Sequence, residues 1–308
     1  MPLLKVQLNH PGSEKPFKLG IGYQRINGII IREWNDDPCH YRKFIRSKGD
    51  YLHSIGSNPI ESNLQFWGEW EGNSVFHPIN NGKGKFKGIH EPFHSTQIRG
   101  FENTDPYIYG DFFKYATCSQ SGELLDLMPS SLILFGTTKD IGFELDTVFV
   151  VKIFESALSV FTNRGQNYSR VYHEETLEQL GETYLGPNHS MNKRLYHGQT
   201  WWDNKEYFSF VPCKVATSGV FEKALLPIPP MAKQKVGHPF QHLSKFDHTE
   251  LWNFIVNEVL KQGFYLGIRF AEPTINDKLL SGYISKQPSQ KADCGNDSQR
   301  INDRKGCK

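Results

Sequence analysis

The sequence predicts an α+β fold in which strands dominate and a few helices sit at the periphery. Three observations predict it. Ser131 to Gly136 and Phe143 to Ile153 are the clearest strand segments, and Thr137 to Gly142 between them is a good hairpin turn. One segment, Asp247 to Gly263, carries a complete helix signature. No regular strand–helix–strand alternation runs along the chain, which disfavours a doubly wound parallel sheet.

Taken in order, Leu3 to Leu8 alternates in part, and Asn27-Gly28 ahead of the β-branched Ile29 to Ile31 signals a hairpin. Asp36-Asp37-Pro38 reads as a helix start, so a short helix is expected to carry Tyr41 to Lys48 and to stop at Gly49. Gln65 to Glu71 reads as a strand, Asn80 to Gly88 as a Gly- and Lys-rich loop, and Tyr107 to Cys118 as an aromatic strand or turn. Val148 to Val151 is apolar on both faces and predicts a central strand. Ser156 to Gly181 is helical in part, best from Glu174 to Leu180; Tyr196 to Val215 returns to strand, and Pro227 to Pro230 is a crossing loop. In the last helix Asp247 caps, Glu250 stands three positions on, Leu251, Trp252, Phe254, Ile255, Val259 and Leu260 recur at helical spacing, and Gly263 ends it. A strand from Phe264 to Phe270 follows.

A chain of 308 residues makes one large domain or two ordinary ones. We divide it into a strand-rich domain over 1–153, a mixed α/β extension over 154–284 packed on it, and a disordered tail over 285–308. The tail holds no aromatic residue and cannot bury enough apolar area to offset its ordering entropy. Elsewhere the 38% apolar content is modest, and the 13% aromatic content offsets it. A net charge of +2 announces no global basic field. No apolar run approaches the roughly 20 residues of a membrane span, and residues 1–20 lack the apolar core of a signal peptide. The five cysteines form no C-x-x-C pair. Together these features predict a cytoplasmic protein with reduced thiols and no membrane partner.

Chemistry-bearing motifs are few. His90-Glu91-Pro92-Phe93-His94 fits the H-E-x-x-H spelling of zinc proteases, but Pro92 would break the helix that chemistry needs. Its flanks read as loop, so no metal site is expected there. No phosphate-binding Gly loop of the P-loop or dinucleotide kind occurs, and no cofactor is expected.

Three segments stand out as binding candidates. His40 to Tyr51 sets Arg42, Lys43 and Arg46 among aromatics; on a helix Arg42 and Arg46 share a face suited to phosphate. Phe66 to Glu71 alternates two Trp with two Glu: Trp67 and Trp70 offer faces on which a base can stack, and Glu69 and Glu71 can read its polar edge. Asn103 to Tyr115 holds Asp105 extended before Pro106, then Tyr107, then a Gly110-Asp111 turn between aromatics, the make-up of a binding loop or of a well-packed corner.

Trp67-Gly68-Glu69-Trp70-Glu71, Asn103-Thr104-Asp105-Pro106 through Gly110-Asp111, Ser131 to Gly136 and Leu145 to Val150 together resemble prokaryotic nucleotide-modification-associated domain proteins. The strand-rich order is more distantly similar to PUA-like barrels of the ASCH and EVE type. The resemblance spans roughly residues 34–151 and implies a nucleotide or modified-base connection and nothing finer.

The function expected is therefore a nucleotide or modified-base binding protein associated with nucleic-acid modification or defence. Its rival is a nucleotide-processing hydrolase or transferase on the same scaffold, with Asp105, Asp111 and the histidines in acid–base or metal roles. A protein-interaction module is a third reading. The sequence assigns no catalytic residue and no oligomeric state. Removing residues 285–308 should shift the melting temperature by less than about 2 °C in a thermal scan; a drop of several degrees would show that the tail docks.

Overall fold

The structure is a computed structural model, described here for residues 5–9, 13–14, 23–26, 29–32, 41–80, 86–96, 104–116, 122–125, 127–156, 168–177, 194–217, 219–227, 240–242 and 247–280. Residues 81–85 of the expected loop and the tail expected over 285–308 lie outside these. The strands are β1 (Lys5–Asn9), β2 (Tyr23–Ile26), β3 (Ile29–Arg32), β4 (Lys43–Leu52), β5 (Ile60–Gly68), β6 (Ser74–Asn80), β7 (Phe86–His94), β8 (Lys114–Tyr115), β9 (Leu132–Lys139) and β10 (Gly142–Ser156). A helical turn α1 (Arg170–Tyr172) follows and continues in wider, π-helical form over His173–Leu177. Then come β11 (Arg194–Gly198), β12 (Val211–Val215), β13 (Ala224–Leu226), β14 (Phe240–His242), the helix α2 (His248–Lys261), β15 (Tyr265–Phe270) and β16 (Thr274–Ile275). The expected α+β, strand-rich class is what the structure has.

Two sheets organise the chain. One runs β14-β1-β9-β10-β11-β8, with β13 also on β10; the other runs β15-β12-β5-β4-β7-β6-β3-β2, with β16 on β7. In the second, β15 pairs with both β12 and β4, so β15, β12, β5 and β4 close into a small barrel. Residues 153 and 154 are consecutive within β10, and strands from either side of that point pair in both sheets.

The hairpin β9–β10 separates two cores. Its side chains alternate, so Ile133, Phe135, Phe149 and Val151 face one cluster while Leu132, Leu134, Val148 and Val150 face the other. The first core takes in Ile45, Phe66, Trp70, Tyr107, Tyr172 and Phe270. The second is covered by α2 through Leu251, Trp252, Ile255, Val256 and Val259. That helix forms as its sequence dictates. Asp247 accepts from the Thr249 and Glu250 amides at 2.9 and 3.4 Å, and Gly263 supplies the positive φ of 74° that ends it. Phe254 lies on its outer face instead of in the core.

Three local expectations are corrected. Tyr41 to Lys48 is not helical: Lys43–Leu52 is a ten-residue strand held between β5, β7 and β15, and tertiary pairing overrides the capping signal. The strand expected from Gln65 to Glu71 ends at Gly68. Tyr196 to Val215 is interrupted by a turn from Thr200 to Tyr207.

One buried charge network ties these pieces together. At Asp146 the β9–β10 register shifts, leaving Asp146 unpaired in a bulge. Its carboxylate meets Lys223 Nζ at 2.7 Å and Arg42 Nε at 3.4 Å, two buried ion pairs. Arg42 Nη1 in turn binds Glu69, just past the end of β5. All four side chains are buried, and burial pulls the Lys223 pKa down against the pull of Asp146. Replacing Asp146 with Ala takes the paired carboxylate from buried Lys223 and one carboxylate from Arg42, which keeps Glu69, and should cost about 3–5 kcal/mol in urea denaturation; a loss under about 1 kcal/mol would show the network to be dispensable.

Candidate functional site

The residues picked from sequence divide sharply on burial. Trp67 is 6% exposed and Trp70 is 0% exposed. Trp67 packs on Phe44, with ring centroids 5.3 Å apart, and its indole N–H donates to the Phe221 carbonyl at 2.7 Å. Trp70 meets Tyr109 edge-on at 5.3 Å and donates to the Asn73 carbonyl at 2.8 Å. Neither indole offers a ring face to a base, so the stacking platform expected at this strand is corrected to core. Glu69 is engaged by Arg42, and the amide of buried Glu71 donates to Thr104 Oγ1 at 2.9 Å.

The basic segment is corrected in the same way. Arg42 and Lys43 are both 1% exposed; Arg42 serves the buried network, and Lys43 Nζ donates to the Trp70 carbonyl. Arg42 immediately precedes β4 and Lys43 opens it, so in the extended chain these two adjacent cations point to opposite sides. Arg46 alone reaches the surface. It pairs with Glu91 at 3.1 Å and, with Lys48, Glu91, Glu272 and Thr274, lines an open cleft of about 200 Å³.

His90 and His94 lie on β7 and not in the loop expected. Four residues along a strand span roughly 13 Å, so the two imidazoles cannot share one metal ion. His90 bonds Ser74 and Glu14, while His94 sits between Glu175 and Glu174, the latter at 2.6 Å from Nε2.

Asp105 is buried and accepts from the Ala116 amide at 2.9 Å, which makes its loop a packed corner. Tyr107 and Asp111, from the same segment, lead to a face that sequence reasoning missed. Tyr107 donates to Glu272 Oε1 at 2.9 Å, with Ser169 on the same oxygen. Gly110, at φ 78°, turns the chain so that Asp111 and Phe112 emerge. Lys114 then turns inward, 5% exposed, with Nζ 4.6 Å from the Tyr172 ring, 5.3 Å from Tyr107 and 5.6 Å from Phe112.

The neighbours of this lysine close into a circuit. Lys114 is the cross-strand partner of His197, and the Lys152 charge acts on His197. Lys152 Nζ lies 2.7 Å from Asp203. Trp202, adjacent to Asp203, has Arg269 at 5.5 Å from its ring centroid, and Arg269 lies 3.9 Å from Asp111. Phe112 returns the path to Lys114. Trp202 and Phe112 are 49% and 46% exposed, so two aromatic faces stand open among Arg269, Lys152 and Lys114.

The Trp202 position follows from local sequence. Asp203 accepts from the Thr200 amide at 3.0 Å and from Thr200 Oγ1 at 2.9 Å, and the Asp203 amide donates back to the Thr200 carbonyl at 3.1 Å. This Thr-x-x-Asp turn buries Trp201 and lifts Trp202 outward. The Thr200 and Asp203 spacing was the available signal.

Electrostatics on the face are set by burial. It pushes Lys114 down to about 8, although Glu272 and Asp111 pull the other way. His197 is also lowered, by burial first, and Lys114 and Lys152 add to this against a 2.6 Å hydrogen bond to Glu155. Burial and the same Glu155 carboxylate raise Tyr168, whose hydroxyl donates to it at 2.7 Å. Comparison with protein families, curated proteins and solved structures finds no match to this chain.

The His94 cluster yields a pH test. Burial lowers the His94 pKa, but Glu175 and then Glu174 more than offset it, leaving the value above 6.5. The folded state therefore holds this proton more tightly, and the stability gained is complete below about pH 6.5 and lost as pH rises through the folded value. Urea denaturation between about pH 6 and about pH 8.5 should show a steeper fall in the parent than in His94→Gln. Equal slopes would mean that His94 does not titrate with folding.

Proposed function

We propose that the protein binds a nucleotide or a base within nucleic acid on the Trp202–Arg269–Phe112 face. The observation that carries this reading is the exposed Trp202 ring with a guanidinium over it, beside a second exposed ring, Phe112. Open aromatic faces interleaved with cations are what base stacking and phosphate attraction require. Asp111 supplies a carboxylate at the rim that can accept from an exocyclic amine. The sequence resemblance to nucleotide-modification-associated proteins supports the same class of ligand and a setting in nucleic-acid modification or defence.

Among the described residues no helix is long and apolar enough to cross a membrane. A cytoplasmic setting is part of the proposal, supported by Cys213 buried as a free thiol.

A fluorescence-anisotropy titration with a labelled single-stranded oligonucleotide, competed by free nucleotides, tests it. Trp202→Ala should weaken binding about five- to 150-fold, the range of 1–3 kcal/mol of stacking, and leave folding stability within about 1 kcal/mol. Arg269→Gln should lower the salt slope by about one. Absence of binding in the parent protein, or binding indifferent to Trp202→Ala, would refute the proposal.

A further inference from the structure

We infer that Lys114 is a reactive amine that condenses with the carbonyl carbon of a small aldehyde or ketone, with His197 exchanging the protons of that step. The inference stands apart from nucleotide binding and rests on how the lysine is housed. Its side chain is 5% exposed and held by the Tyr107, Phe112 and Tyr172 rings. Among the described residues Nζ makes no hydrogen bond or ion pair. Of the carboxylates that bear on its charge, Glu272 already receives Tyr107 and Ser169, and Asp111 stands exposed at the rim with no ion pair to Nζ. A buried cation left without a partner is a weak acid made stronger. With its pKa near 8, about a tenth of Lys114 is neutral at pH 7, against about one part in 3,000 for an ordinary lysine.

The proton carrier lies on the neighbouring strand. His197 is opposite Lys114 in the β8–β11 pair, so both side chains project from the same face. Its Nε2 is 2.6 Å from Glu155 Oε1, and this carboxylate fixes the proton on Nε2, leaving Nδ1 as the acceptor. Glu155, itself held by the Tyr168 hydroxyl, is a positioning residue. Lys152 and Lys114 both bear on His197 and favour its neutral form.

The step balances without a co-reactant. His197 takes a proton from the ammonium, and the amine lone pair forms a bond to the carbonyl carbon. The C=O π pair moves to oxygen, the imidazolium returns its proton to that oxygen, and His197 then takes a second proton from the nitrogen, leaving a neutral carbinolamine. The imidazolium then protonates the hydroxyl, water leaves as the nitrogen lone pair forms the C=N bond, and a protonated imine to Nζ remains. The net change is ammonium plus carbonyl to protonated imine plus water.

Incubation of the full chain with pyridoxal and cyanoborohydride, followed by intact mass and peptide mapping, tests the inference. Lys114 should be modified about tenfold or more faster than the mean of the other lysines, at a rate that rises with pH and levels near 8. Lys114→Met should remove that adduct. His197→Gln should slow it about 100-fold or more while the melting temperature holds. Even labelling across surface lysines, or a Lys114 rate that climbs through pH 10 like that of an exposed amine, overturns the inference. Both readouts on the parent protein stand if either variant fails to fold.

Discussion

A carboxylate taken out of water loses several kcal/mol of hydration, and Asp146 tolerates that loss because Lys223 and Arg42 meet it from two sides. Much of the remaining architecture follows from that meeting. The bulge exists because Asp146 must leave the ladder to reach its partners. Arg42 binds Glu69 as well, so the chain departs from β5 at Gly68 in order to deliver that carboxylate. Trp67, still within β5, packs in a cluster with Phe44 and Ile89, and Trp70, past the strand's end, enters the main core.

β10 bends its register twice, and each irregularity carries a charge. The first holds Asp146 for the interior; the second, between Val151 and Ile153, holds Lys152, which turns outward to Asp203. Asp203 in turn fixes the turn that displays Trp202. One strand therefore anchors the buried network at one end and organises the exposed face at the other. The apolar stretch between, Val148 to Val151, packs into both cores and keeps the two ends in fixed relation.

What could be read from sequence was what depends on neighbours in sequence. The β9–β10 hairpin, the β2–β3 hairpin and the capped helix α2 are specified by turn residues, alternation and an Asp cap within a few positions. Arg42 and Lys43 looked like a solvated basic face because nothing local says that Asp146, Glu69 and the Trp70 carbonyl, all distant in sequence, will receive them. Trp67 and Trp70 looked available because no short window shows that Phe221 and Asn73 will occupy their indole N–H groups. The exposed face draws on 111–114, 152, 197, 202 and 269, and no motif spans such a set. Tyr107 and Asp111 were legible only because glycine and aromatic residues mark their turn locally.

The closed barrel has a kinetic counterpart. Its β4–β5 hairpin is local, but Cys213 pairs with Phe66, and Gly267 with Tyr51, across well over a hundred intervening residues. Closure must wait for those distant strands and for the loop entropy they bring, so the barrel belongs to the slow class of folding topologies. During synthesis from the N-terminus the β4–β5 hairpin can form early, and its β5 edge and the Gly49–Leu52 part of β4 stay unpaired until residues 211–270 have emerged. In that interval it is a template for pairing with another chain, and the protein is most exposed to self-association before it is complete.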